Sequence, residues 1–277
     1  MPLAKKKKSR EDGIFISFVD EPASEQVTGS MIYISTSTHN ILVEAGCAQS
    51  NNVKEDYLVN NRKFSEFKPK NIDLIFLAHN HHDHCNLCPR LIRDGFEGGI
   101  ITPVNSKKIQ QIMYEDCVKI NEKDVEFLNS QYGTKYKPLY TMDDVKKTLE
   151  HTIEKPIGEV VYIDDTLSFK YVPSGHLLSG CQLILYLTEG NTKKSILITS
   201  DIGSDKVKNR YVGQLERVEK CDLMVLESTY GDRPELKVRD KERKNDYDKL
   251  QSIIDTQVHE LKSRVIIPVF AQCRCPQ

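Results

Sequence analysis

Five side chains able to donate to a metal crowd into six positions, His79, His81, His82, Asp83 and His84, at the end of Asp73–His84 (DLIFLAHNHHDH). Imidazole nitrogens and a carboxylate packed this closely suit a borderline-soft divalent cation such as zinc. A solitary histidine is more often a core residue, but five such groups after an apolar run fit neither a core nor a solvated face. A lone CxxC follows directly, Cys85 and Cys88. No second pair stands at zinc-finger spacing, so ordinary packing is the expectation for these two thiols.

The elements that must position the cluster are legible as patterns. Asp73–Ala78 is a continuous apolar run, the mark of a strand covered on both faces. Alternation at its end is expected to aim His79 and His81 the same way, with Asp83 and His84 on the turn beyond. Gly13–Asp20, Ser30–Thr38 and Asn40–Glu44 read as earlier strands, being β-branched and separated by turn-formers. Ser106–Gly133 and Asp143–Ile153 carry spaced apolar residues among charges and read as helices. Glu159–Ile163, Leu167–Pro173, Gln182–Leu187 and Ser195–Thr199 are further strands, and Asp222–Glu227 reads as a buried one. Lys241–Lys262 is an amphipathic helix, with Leu250, Ile253, Ile254, Val258 and Leu261 at helical spacing. Arg264–Phe270 reads as a closing strand. Runs of strands with helices between them imply an α+β sandwich of layers.

The bulk properties narrow the function. The 277 residues are 39% hydrophobic and 29% charged, an ordinary globular composition. No apolar run approaches the ~20 residues of a membrane span, and no export signal follows the basic start Lys5–Lys8. Residues 1–12 read as a disordered basic tail. The net charge of −1 lends nucleic-acid binding no overall support, so it would need a local basic patch. Eight cysteines without a disulfide framework point to reduced thiols and a cytoplasmic protein with no membrane partner.

His79-Asn80-His81-His82-Asp83-His84 resembles the HxHxDH signature of the metallo-β-lactamase superfamily, with Asn80 and His82 in its variable places. Val27–Ser30 resembles the opening segment of the RNA-processing branch. Ser174-Gly175-His176 and Thr199–Gly203 resemble the third and fourth motifs. Glu227–Arg233 (ESTYGDR) and Ile267–Ala271 (IPVFA) resemble the β-CASP branch, which includes RNase J and the cleavage-and-polyadenylation endonuclease.

The resemblance implies an incomplete αββα sandwich over residues 13–220 and the start of a β-CASP domain over 221–277. It implies two zinc ions, the first held by His79, His81, His176 and Asp201, the second by Asp83, His84 and Asp201. Asp83 and Glu227 would be the catalytic carboxylates. Glu44 stands where the family usually has aspartate and would support the site from behind. The implied reaction is hydrolysis of RNA, or another single-stranded nucleic acid, by a metal-activated water. Two departures qualify this. No late histidine completes the second site, and Pro276 stands where the family has glutamine, so the sequence reads as a truncated or frameshifted member. The alternatives are a non-catalytic RNA- or protein-binding homologue and a hydrolase of small esters or thioesters.

Overall fold

A computed structural model describes residues 13–20, 26–203, 213–229, 231 and 240–268. The basic tail of 1–12, Tyr230, Asp232, Arg233 and the terminal segment 269–277 lie outside the described residues. Two compact units divide the chain, the first ending at Glu227 and the second spanning Ser228–Pro276.

The first unit holds two sheets. Strands β1 (Phe15–Phe18), β2 (Ile32–Ser35), β3 (Asn40–Val43), β4 (Leu74–Phe76), β5 (Gly99–Pro103) and β6 (Thr152–Lys155) lie side by side in chain order. Strands β7 (Val160–Tyr162), β8 (Leu167–Pro173), β9 (Cys181–Glu189), β10 (Thr192–Ile198) and β11 (Leu223–Val225) form the second sheet, ordered β11-β10-β9-β8-β7.

The period-2 rule explains why the sheets stack. Ile32, Ile34, Ile41, Val43, Phe76 and Ile101 project from one face of the first sheet and meet Phe169, Tyr171, Leu183, Leu185 and Ile196 of the second. Their strand neighbours Tyr33, Leu42, Ile75 and Ile100 project the other way and pack under helices. Those helices are α1 (Val53–Asn60), α3 (Cys88–Arg93), α4 (Lys107–Tyr132) and α5 (Met142–His151); the four-residue α2 (His82–Cys85) carries part of the histidine cluster. Tyr171 ties the sheets together, its buried hydroxyl sharing its one hydrogen between the carbonyls of Leu77 at 2.8 Å and Ile101 at 2.9 Å. The layers are thus helices, sheet, sheet. On the outer side of the second sheet, Val218 and Cys221 pack against Val172, Ile184 and Leu197, and no helix lies there among the described residues.

This is the α+β sandwich the sequence implies, with local corrections. The helix expected to reach Ile153 stops at His151, and Thr152–Lys155 pairs with β5 instead. The β-branched Thr152 and Ile153 favour the extended backbone there. Strand β5 and helix α1 escape sequence reading, because both are short and α1 shows no apolar face. Strand β11 is real but not buried: Leu223 is 44% and Met224 53% exposed, because it lies at the sheet edge and pairs only with β10.

The second unit contains α6 (Asp240–Ile254), continued as one wider turn over Asp255–Glu260. The expected strand from Arg264 is absent over 264–268, where no ladder partner exists among the described residues and Ile266 is 88% exposed. Its remaining positions, 269 and 270, lie outside the described residues. No described helix is long and apolar enough to cross a membrane.

Candidate metal centre

Every proposed site residue sits just past the C-terminal end of a strand: Glu44 after β3, His79–His84 after β4, His176 after β8, Asp201 after β10 and Glu227 after β11. Strand β4 ends at Phe76, so His79 and His81 do not converge by strand alternation, as the sequence suggested. They converge because the chain leaves the sheet as a loop, with His81 extended (φ −66°, ψ 151°) at the start of α2.

Backbone bonds seat this loop. Ala45 donates to the carbonyl of His84 at 2.7 Å, Cys47 to that of His82 at 3.2 Å, and Ser30 to that of Asp83 at 2.9 Å. The Val27–Ser30 segment singled out in the sequence therefore buttresses the histidine turn. Across the site, Gly203 donates to the Ser174 carbonyl at 2.9 Å, locking the Asp201 loop to the His176 loop.

The donor atoms close on one point. His81 Nδ1 lies 3.2 Å from His79 Nε2 and 3.1 Å from His176 Nε2. Asp201 Oδ2 lies 3.6 Å from His79 Nε2, 3.9 Å from His81 Nδ1 and 3.3 Å from His176 Nε2. One ring nitrogen cannot hydrogen-bond well to two others at once. Four donors on a common cation with bonds of about 2.0–2.1 Å, by contrast, stand roughly 3.3 Å apart. The spacing and chemistry of His79, His81, His176 and Asp201 therefore fit a metal ion.

The other oxygen of Asp201, Oδ1, faces His84 Nε2 at 3.2 Å, and Asp83 Oδ2 approaches the same nitrogen at 3.6 Å. Asp201 thus presents one oxygen to three histidines and the other to the fourth. A second cluster of ligand atoms, from Glu44, His79 and His84, is sealed from solvent. Its centre is already filled by the Ser200 hydroxyl, so it is a support and not a second pocket for an ion.

The electrostatics describe a site short of positive charge. Burial, reinforced by the neighbouring His84, pushes His79 well below the usual histidine range, leaving it neutral and able to ligate. Burial also opposes the charge on His84, but bonding to Asp201 and Glu44 outweighs it and raises His84 well above that range. Burial alone would raise Asp201, yet its bonds to His81 and His84 hold it far below an ordinary carboxyl. Desolvation raises Glu44, which is 1% exposed. A proton on His84 therefore does in part what a divalent cation would do for the cluster.

Glu44 has left-handed backbone (φ 62°), which turns the chain so that its carboxylate reaches back and accepts the Ala78 amide at 3.2 Å. The carboxylate of Glu227 is engaged behind Asp201, accepting the amide of the next residue, Ile202, at 2.6 Å. Sequence reasoning missed Ser200, which touches three members of the cluster; nothing about a serine before an aspartate marks it beforehand.

Other candidates stay apart. His82 turns to Asn86 (2.6 Å), His39 pairs with Asp164 (2.9 Å) and His151 donates to the Gly98 carbonyl at 2.7 Å. Cys85 and Cys88 are fully buried in the helical core, as the packing reading expects. Burial holds both thiols protonated, that of Cys88 at about 12. Iodoacetamide is accordingly expected to leave both unmodified in the native protein and to alkylate them once it is unfolded. Labelling of either in the native state, read by mass spectrometry, would contradict the burial.

Residues 25–100, which include the histidine run, match the family model described as the metallo-beta-lactamase superfamily. The chain is 26% identical over 252 residues to a ribonuclease of Thermus thermophilus, covering 90% of this chain and 50% of that protein. It is 25% identical over 266 residues to the transcription termination factor FttA of Methanocaldococcus jannaschii, covering 95% and 38%. With Integrator complex subunit 11 of Danio rerio it shares 26% over 263 residues, covering 92% and 40%. The chain spans half or less of the length of these relatives, which belong to the β-CASP RNA-processing branch. The family match over residues 25–100, the ordered motifs and these relatives make the chain similar to the metallo-β-lactamase superfamily.

Proposed function

We propose that the first unit is the active-site portion of a metal-dependent ribonuclease that hydrolyses phosphodiester bonds in single-stranded RNA. The observation that carries the reading is Asp201, whose two oxygens face two separate groups of donors, as a residue shared between two ions would. His79, His81, His176 and Asp201 would hold one zinc ion; Asp83, His84 and Asp201 would hold a second, less completely enclosed. Bound there, the ions would supply Lewis acidity, lowering the pKa of a water and neutralising charge on a phosphoryl oxygen. The names of the relatives support RNA as the substrate.

The protein's own groups have distinct tasks. Asp83, partly exposed beside His84, is placed to take a proton from the attacking water. Glu227 secures the Asp201 loop through Ile202. Glu44 supports the ligands from behind. The sequence resemblance starts the β-CASP domain at residue 221; because β11 pairs with β10 inside the first unit, we propose that it opens only beyond Glu227.

The test combines zinc content by plasma mass spectrometry with cleavage of an end-labelled single-stranded RNA. Asp83→Ala should lower cleavage by roughly a hundredfold or more, the least that loss of a positioned proton acceptor usually costs. Undiminished cleavage by Asp83→Ala would sink the mechanism, and a chain that takes up no zinc would sink the metal assignment.

A further inference from the structure

We propose that Ser200 is a positioning residue that fixes which nitrogen of His79 is free to bind a metal, an inference that rests on the metal site proposed above. The Ser200 hydroxyl oxygen lies 3.0 Å from Glu44 Oε1, 3.1 Å from His79 Nδ1 and 3.4 Å from His84 Nδ1. All four residues are at most 9% exposed, so no bulk water competes for these contacts.

A hydroxyl has one hydrogen to give. Glu44 Oε1 already accepts the Ala78 amide, so the oxygen that Ser200 faces is an acceptor and the Ser200 hydrogen goes to it. The oxygen of Ser200 is then an acceptor only, and it faces His79 Nδ1. A neutral His79 ring satisfies this contact by carrying its proton on Nδ1. The proton is thereby kept off Nε2, the atom that faces His81, His176 and Asp201. The reverse arrangement, Ser200 donating to His79, would set two acceptor oxygens against each other at 3.0 Å in a buried site and would place the ring hydrogen where the ion belongs. His84 repeats the pattern, with Nδ1 toward Ser200 and Glu44 and Nε2 toward Asp201.

The backbone shows that serine is present for its hydroxyl. Ser200 has φ of +48°, a left-handed conformation in which a side chain is a liability and glycine would sit without strain. Ser200→Gly therefore separates the two roles, since it relieves the backbone while deleting the hydroxyl.

The experiment uses the full chain, zinc alone as the ligand, and three readouts. Chelator competition measures zinc affinity, thermal melting measures the metal-free fold, and nitrogen-15 NMR of labelled histidines reports the His79 tautomer. Ser200→Gly is expected to keep a cooperative melting transition, its backbone relief offsetting part of the lost buried hydrogen bonds, yet to bind zinc about ten- to a hundredfold more weakly, the usual loss when a ligand's supporting partner is removed. Its metal-free His79 should exchange between tautomers where the wild type holds the Nδ1–H form. Ser200→Ala, which keeps the strained backbone, should show the same weakened binding. Wild-type zinc affinity in Ser200→Gly overturns the inference, as does a wild-type His79 carrying its proton on Nε2. A wild type that shows the Nδ1–H form but takes up no zinc would refute the metal site and leave the placement by Ser200 standing.

Discussion

Asp201→Ala is expected to abolish tight zinc uptake and lower RNA cleavage by about a thousandfold or more, because it removes the one group that faces all four clustered histidines. Two ions on an in-line displacement supply several kilocalories of charge stabilisation, and the shared carboxylate is what would hold them together. The metal-free protein should also suffer. Asp201 opposes the charge on buried His84 at 3.2 Å, and removing one partner of such a pair costs roughly 3 kcal/mol.

That loss has a defined pH window. The folded pKa of His84 lies above its ordinary value, so its share of the stabilisation is complete below about pH 6.5 and fades as pH rises through the folded value. Asp201 lies below its ordinary value, so its share is complete above about pH 4 and fades as pH falls. The difference in denaturation midpoint between wild type and Asp201→Ala, measured without metal, should therefore peak between those limits. A difference that grows steadily toward alkaline pH would contradict the assignment of the pair.

Gly46→Ala is expected to destabilise the first unit by about 3 kcal/mol and to empty the site, although Gly46 touches no ligand side chain. A Cβ on Gly46 would fall 1.7 Å from the Asp83 carbonyl oxygen and 2.8 Å from the His84 nitrogen. Those are backbone atoms of the histidine turn and cannot swing aside as a side-chain end can. The Ala45–His84 and Cys47–His82 bonds would have to break to make room, adding lost hydrogen bonds to the overpacking. Gly13→Ala meets only the Phe15 ring at 3.6 Å and serves as the neutral control. Denaturant midpoints and zinc content check both variants. A Gly46→Ala protein with wild-type values for each would show that the two loops are not held together as described.

Much of the sandwich was legible because its signal is local. The apolar run before His79 and the alternation within Leu167–Pro173 are set by which face of a strand is buried, and neighbours in sequence carry that information. Thr152–Lys155 was not legible, since only Ile153 is strongly apolar and the segment follows a helix without a break. Its pairing with β5 depends on a strand some fifty positions away in the chain. Leu223 and Met224 show the opposite error: they have strand character, but burial depends on what lies beside them, and that no strand can encode alone.

The sequence by itself determined the kind of chemistry. His79, His81, Asp83 and His84 are close along the chain, so residue type and spacing announce a metal cluster before any fold is known, and the family motifs add His176 and Asp201. The tertiary structure alone decided how those groups relate. It placed His176 Nε2 3.1 Å from His81 Nδ1, divided the two oxygens of Asp201 between separate donors, and seated the Ser200 hydroxyl between Glu44 and two imidazoles. The physical reason is that such contacts join the ends of strands in two different sheets. Their geometry is fixed by how the sheets stack and where each strand stops, which are properties of the packed core and not of any one segment.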